Sequence, residues 1–284
     1  MSNSTKPAWL KKKINLKDNT NLMKKLSSHS LHTICEEALC PNISECFKKG
    51  IATFLIMGDV CTRLCGFCGV KKGKPGPLDK NEPERVAQLI DKLGLKYVVI
   101  TSVTRDDLPD GGASHFVETI KCIKSLNKGI KIEVLIPDFG ADEVSIKKVL
   151  DAAPDVIAHN IETVKNIYPK INRGVAQYEQ SLKVLEIIKK LDNDMITKSG
   201  LMLGLGENEE EVYQAMRDLR KVGCDFLSIG QFLTPSKKHV QVEEFVKPEV
   251  FDLYRDKALS IGFKFVKSAP YVRSSYLADE YHCV

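Results

Sequence analysis

From residue 51 onward, short continuous apolar runs alternate with longer stretches in which apolar positions recur at helical spacing. The runs predict strands at Thr53–Gly58, Tyr97–Val103, Lys131–Ile136, Asp155–His159, Thr197–Leu203, Phe226–Phe232 and Phe263–Lys267, each covered on both faces. The amphipathic stretches predict helices over Glu82–Leu93, Ser114–Leu126, Glu143–Ala152, Tyr178–Lys190, Glu207–Lys221 and Pro248–Ser260. Leu182, Leu185 and Ile188 form a buried helical stripe, and Glu207–Glu211 places acid in a first turn, where the helix dipole favours it. Strand followed by helix, repeated about six times, implies a parallel sheet. Periodicity leaves open whether that sheet curls into a closed or partial barrel or stays open and doubly wound. Residues 1–50 and the tail after Ala269 stand outside the rhythm and read as extensions on the core.

In both parallel architectures the site lies at the carboxyl ends of the strands. Those ends carry Asp59 to Cys68, Thr101 with Ser102, Asp138, Asn160 with Glu162, Gly204 and Gln231. Residues far apart in the chain are therefore expected on one face.

Composition narrows the class. The chain has 284 residues, 43% apolar and 28% charged, which excludes a disordered polypeptide and allows a sizeable core. No apolar run reaches the ~18 residues that span a bilayer, and the start lacks the apolar stretch of a secretory signal. A soluble, cytoplasmic protein is expected. The net charge of +5 comes largely from lysine clusters, including Lys71, Lys72 and Lys74, and no motif for nucleic acid accompanies them.

The nine cysteines are more informative. An odd number without an export signal argues against a disulfide framework, and six of them crowd between Cys35 and Cys68. After the first core strand comes Cys61-Thr-Arg-Leu-Cys65-Gly-Phe-Cys68. Zinc commonly takes four ligands in two close pairs, so this spacing suits it badly. Three thiolates on a short loop match one face of an iron–sulfur cube and leave one iron open to bind a small molecule. Structural or zinc-binding thiols are the competing reading. Upstream, Cys35, Cys40 and Cys46 are spaced too irregularly for one helix face, and Pro41 interrupts any helix there. Beside the first triplet they read as a second cluster site; alone they would pass for ordinary thiols. Cys122 and Cys224 are most simply small core residues, and Cys283 a thiol near the terminus.

Cys61–Cys68 is similar to the CxxxCxxC signature of radical S-adenosylmethionine enzymes, with the aromatic Phe67 before its last cysteine. Combined with the upstream triplet and with Arg273-Ser274-Ser275-Tyr276 near the end, the chain resembles the lipoyl synthase family. Ala52–Cys68, Thr101–Gly112, His159–Val164, Thr197–Glu207 and Ile229–Pro235 are also family-like. Gly66 and Gly69 stand where the family usually has Pro and Asp, and Arg173 is followed by Gly174 rather than Pro; neither departure removes a ligand.

The resemblance implies a partial (β/α)6 TIM-type barrel over residues 51–269, with an N-terminal extension (1–50) and a C-terminal extension (270–284) carrying an auxiliary cluster. It implies two 4Fe–4S clusters and S-adenosyl-L-methionine, used to insert two sulfur atoms at carbons 6 and 8 of a protein-bound octanoyl group. Cys61, Cys65 and Cys68 would hold the cluster that binds S-adenosylmethionine. Cys35, Cys40, Cys46 and Ser275 would hold the auxiliary cluster, the sulfur donor. An octanoyl methylene has no acidic proton, so the cofactor rather than acid–base residues must carry the hard step. Oxygen is a poorer match to cluster iron than thiolate, so the Ser275 corner is expected to be labile. Thr101 and Ser102 are candidates for the methionine carboxylate or amino group, Asn160 and Glu162 for ribose, and Arg173 for carboxylate. Helix caps or structural salt bridges compete with each of these roles.

The implied partners are octanoylated lipoyl domains of 2-oxoacid dehydrogenase complexes or the glycine cleavage H protein. An electron donor such as ferredoxin or flavodoxin and an iron–sulfur carrier protein are implied as well, with no nucleic acid and no membrane. The lysines after Cys68 would steer an acidic partner. Two other classes compete: another sulfur-inserting radical enzyme, biotin-synthase-like or methylthio-transferring, and a non-catalytic iron–sulfur or zinc module.

Overall fold

Where an apolar run has neighbours on both sides it becomes a strand, and the computed structural model places one at every predicted run. It describes residues 6–11, 31–33, 42, 45–46, 49 and 51–282. The strands are β1 (His32–Thr33), β2 (Ile51–Ile56), β3 (Val60–Cys61), β4 (Lys71–Lys72), β5 (Tyr97–Ser102), β6 (Lys131–Leu135), β7 (Val156–Ala158), β8 (Ile196–Leu203), β9 (Phe226–Gln231) and β10 (Phe265–Ser268). The helices between them are α1 (Glu82–Leu93), α2 (Ala113–Lys124), α3 (Glu143–Asp151), α4 (Val175–Leu191), α5 (Glu209–Lys221) and α6 (Pro248–Ser260).

The winding, left open by periodicity, is decided by strand order. The main sheet runs β1-β2-β5-β6-β7-β8-β9-β10, parallel throughout except for β1, which pairs antiparallel with β2. A doubly wound sheet would reverse its order at a switch point; here each βα unit adds its strand on the same side, as in a barrel. Among the described residues β1 and β10 each have one neighbour, so the barrel is partial. It contains six βα units and ends in a seventh parallel strand, β10.

The two faces of the sheet differ in chemistry. Outward, Phe54, Ile56, Val98, Ile100 and Val134 pack under Val86, Leu89, Ile90, Phe116, Ile120, Ile146 and Val149 of the helices. Each such side chain contributes about 1.5–3 kcal/mol by leaving water. Inward, Glu133 and Lys198 form a fully buried ion pair at 2.9 Å, and the Tyr97 hydroxyl donates to the same carboxylate at 2.8 Å. Removing either charge alone would strand the other, at about 3–5 kcal/mol. The tail enters this polar interior: Leu277 packs on Ile51, and Ala278 on Tyr97 and Val99.

Several elements differ from expectation. β1 lies inside the segment read as an extension and caps the β2 edge. β3 and β4 form a small parallel pair within the cysteine loop. Helix α5 begins two residues late, because Asn208 caps it by accepting from Glu211 N at 3.0 Å, while Glu207 turns back to accept from Leu205 N at 2.9 Å.

Candidate active site

The cysteine loop leaves β2 through Met57 and Gly58, both at positive φ (68° and 87°), and the Met57 N–H is held by the Glu82 carboxylate at 2.7 Å. Bonds from distant elements then shape it. Thr62 N donates to Thr104 O at 3.1 Å, Gly66 N to Ile171 O at 2.7 Å, and Val240 N to Gly66 O at 3.0 Å. A Cβ on Gly66 would sit 2.9 Å from Val240 Cγ2 and 3.3 Å from Ile171 O, so the departure from proline here gives a loop that packs closer and donates an extra N–H. Gly204, by contrast, adopts φ +95° against Gln231 and Glu244: its close approach is to the protein itself.

The Cys61 sulfur accepts N–H bonds from Arg63 and Thr104, each at 3.4 Å. Burial pushes the Cys65 thiol up and the Cys68 thiol to about 11, and each feels the charge of Cys61. Among the described residues, no three of His, Cys, Asp and Glu close around a point as the ligands of one ion do. The loop offers three thiols within electrostatic reach of one another and two N–H donors on one sulfur.

Arg63, inside the motif, fastens the loop. Its guanidinium bonds Asp106 through Nε (3.0 Å) and Nη2 (2.8 Å), and Asp138 through Nη2 (2.7 Å) and Nη1. Burial alone would raise the Asp138 carboxyl; the Arg63 contact wins and holds it down at about 2. The loops after β5 and β6 are thereby tied to the cysteines. Sequence reading placed Asp138 on this face but gave Arg63 no role, because its partner lies on another strand end.

The loop after β7 supplies the next group. Glu162 extends the ladder by pairing with Leu201 of β8, and its carboxyl is pushed up by burial against the pull of Arg173 and of a bond from Asn160. Arg173 is buried, lies 5.2 Å over the Tyr168 ring, and acts electrostatically on both Cys65 and Glu162. The Thr101 hydroxyl donates to Leu135 O at 3.0 Å, and strand alternation turns Ser102 towards the helical layer.

Three buried polar atoms near these strand ends have no protein partner: Ser102 Oγ, His159 Nε2 and Arg173 Nε. His159, at the end of the run predicted as a strand, is buried. Its Nδ1 donates to Ile136 O at 2.9 Å, so the neutral ring presents Nε2 as a bare acceptor, and burial lowers its pKa to about 4. Ser102 Oγ faces the helices, whereas His159 Nε2, an acceptor, and Arg173 Nε, a donor, lie within electrostatic reach of each other and fit a polar ligand such as S-adenosylmethionine.

The tail joins this face to the N-terminal extension. Gly230 lets it cross β9, since a Cβ there would sit 2.0 Å from Val272 O. Ser274 Oγ then donates to Asn160 Oδ1 at 2.9 Å. Beyond Ser275, Tyr276 and Leu277 pack on buried Cys46, and the Tyr276 hydroxyl donates to Glu45 at 2.8 Å. Cys35 and Cys40 lie outside the described residues. Of the basic cluster after Cys68, Lys71 pairs with Asp59 at 2.5 Å, and Lys72 and Lys74 are exposed.

Comparison with known proteins agrees with this geometry. Residues 55–219 match the profile of the Radical SAM superfamily. The chain is 57% identical over 281 residues to a lipoyl synthase of Caldicellulosiruptor saccharolyticus, covering 99% of this chain and 98% of that one. It is 53% identical to a lipoyl synthase of Alkaliphilus metalliredigens, covering 99% and 97%. Among solved structures it resembles methylornithine synthase, with a TM-score of 0.56 at 16% identity over 90% of this chain and 86% of that one. The FeFe-hydrogenase maturase HydG from Carboxydothermus hydrogenoformans superposes with a TM-score of 0.58 at 13% identity, covering 94% and 77%. The structural likenesses show the shared barrel, and no helix among the described residues is long and apolar enough to cross a membrane. With near-complete coverage at more than half identity, the chain belongs to the lipoyl synthase family of the Radical SAM superfamily.

Proposed function

We propose that this chain inserts two sulfur atoms at carbons 6 and 8 of an octanoyl group carried on a lysine of a protein, forming the lipoyl cofactor. Family membership brings with it a 4Fe–4S cluster, S-adenosylmethionine and an octanoylated protein substrate. When bound, these cofactors supply an electron and a radical able to take hydrogen from an unactivated methylene, with a second cluster as the source of sulfur.

The chain's own residues have distinct tasks. Cys61, Cys65 and Cys68 would ligate the first cluster, and Arg63 fixes their loop to Asp106 and Asp138. Glu162, Asn160 and Arg173 would orient S-adenosylmethionine beside it, with His159 accepting from a donor of that ligand; Thr101, on the inward face, remains a candidate for its methionine end, and Ser102, turned to the helices, does not. Cys35, Cys40, Cys46 and Ser275 would hold the second cluster. Residues 51–269 then form the radical core, and 1–50 with 270–284 form the sulfur-donating part.

The observation that carries this reading is the path Asn160–Ser274–Ser275–Tyr276–Cys46, which connects the neighbourhood of the first cysteine triplet to the last cysteine of the second. Lipoyl domains of 2-oxoacid dehydrogenase complexes or the glycine cleavage H protein are the proposed substrates. A ferredoxin or flavodoxin would be the reductant, an iron–sulfur carrier the source of cluster, and the cytoplasm the site of action. Lys72 and Lys74 would steer an acidic domain, a contribution that weakens with added salt.

The test is mass spectrometry of an octanoylated lipoyl-domain peptide after anaerobic incubation with the reconstituted chain, reductant and S-adenosylmethionine. Gain of two sulfurs is expected; release of 5′-deoxyadenosine without sulfur in the peptide overturns the reading.

A further inference from the structure

Lys267 sits on β10, an edge strand. Its neighbours face the helices: Val266 belongs to the core around α5 and α6, and Ser268 Oγ donates to Phe251 O of α6 at 2.7 Å. Alternation therefore turns Lys267 to the barrel interior. A lysine there is costly, because its ammonium must leave water, and Lys198 is close enough to repel it. Its side chain is nonetheless only 11% exposed.

Compensation comes from the tail. The ammonium donates to Leu277 O at 2.7 Å, to Tyr276 O at 3.3 Å and to Glu280 Oε2 at 2.9 Å, and lies 5.4 Å over the Tyr276 ring. Two of these acceptors are the backbone carbonyls that immediately follow Ser275. The same Tyr276 reaches the other way, its hydroxyl donating to Glu45 at 2.8 Å, one residue before Cys46. Glu280 also receives Lys49 at 2.8 Å, but that pair is 47% and 41% exposed and contributes little beside the buried contact.

We propose that Lys267 is a positioning residue for the second cluster site: by clamping the carbonyls of Tyr276 and Leu277 it fixes Ser275 beside Cys46, so that the serine oxygen is held ready as a ligand. The inference rests on the two-cluster reading and adds to it a residue that touches neither cluster. The ammonium needs three donors aimed at three acceptors, which an apolar side chain of equal length cannot supply and a guanidinium can largely reproduce.

The experiment compares the full chain with Lys267→Met, Lys267→Gln, Lys267→Arg and Tyr276→Phe, each reconstituted anaerobically. Iron and sulfide per chain, Mössbauer spectra, 5′-deoxyadenosine release and sulfur insertion are measured. In K267M, affinity for the second cluster and sulfur insertion are expected to fall about 10-fold or more, while 5′-deoxyadenosine release per first cluster stays within about twofold. K267R should recover most of the loss. Should K267M not fold, Lys267→Gln, which keeps one shorter donor, carries the test with a smaller loss confined to the second cluster; Y276F, which removes only the bond to Glu45 and leaves the Lys267 contacts in place, should lose less. Full second-cluster occupancy and sulfur insertion in K267M, or in K267Q where K267M does not fold, overturn the proposal. An unaltered chain that takes up only one cluster overturns the two-cluster reading itself, and this proposal with it.

Discussion

The two cysteine regions of this molecule are built in opposite ways. Cys61, Cys65 and Cys68 lie within eight residues at the end of one buried strand, and the elements that hold them are parts of the barrel itself: Thr104, Asp138, Ile171 and Val240. Cys46 belongs to an extension that meets the other end of the chain, through Asn42 to Tyr271 O at 2.6 Å and through Glu45 to Tyr276 at 2.8 Å. The first site is a property of the fold. The second depends on two chain ends meeting, so substitutions are expected to separate them.

The sharpest break is at the first site. Cys65→Ala removes a proposed ligand of the first cluster, so 5′-deoxyadenosine release and sulfur insertion are both expected to fall to background. Retention of 5′-deoxyadenosine release would mean that the loop does not hold the initiating cluster. At the second site the effect is narrower. Gly230→Ala drives a methyl group into Val272 O and must displace the tail, which overpacking makes costly by about 1–3 kcal/mol. Sulfur insertion should drop about 10-fold with a smaller change in 5′-deoxyadenosine release. Equal losses in both would show that the tail serves the first site too. Ser275→Cys probes the labile corner: a second cluster that still assembles but gives up sulfur more slowly is the expected outcome, and unchanged turnover would argue against lability at the oxygen ligand.

What was legible in the sequence follows the same division. The seven core strands and six helices could be read because both faces of each strand are covered, giving continuous apolar runs, and because each helix buries one stripe. The winding could not be read, since strand order is a tertiary property. Nor could β1, only two residues long in a polar setting, be told from loop. At the site, the first triplet was visible because its members are close in sequence. Arg63 was in plain view, but Asp138, which gives it meaning, lies 75 positions away. The bond between Ser274 and Asn160 spans 114 positions, and the inward turn of Lys267 depends on the register of β10 against β9. At His159 the sequence shows only the end of an apolar run; the bare Nε2 is visible only in the structure.

That bare nitrogen offers a milder test of the first site. His159→Phe keeps the ring's bulk and removes the acceptor, so the expected change is a loss of one hydrogen bond to ligand, about 1–1.5 kcal/mol or roughly 10-fold in affinity for S-adenosylmethionine. Equilibrium binding to the reconstituted chain reads it directly. Unaltered affinity would return His159 to the core.

The last effect is on stability rather than on turnover, and concerns how firmly the first loop is tied down. The Asp138 carboxyl is held at about 2, below its ordinary value of about 3.9, by Arg63. A depressed carboxylate stabilises the fold at pH values above its unfolded pKa, and that contribution disappears as pH falls from about 4 to about 2. It is worth ~2 kcal/mol when fully present. Asp138→Asn should therefore lower the thermal midpoint of the apo chain near neutral pH, and the gap to the unsubstituted chain should close on acidification through that window. A gap that stays constant with pH would mean that Asp138 stabilises the loop by packing, with Asp106 carrying the charge of Arg63 alone. In that case the barrel, rather than the ion pair, would be what keeps the first triplet in place when the second site is empty.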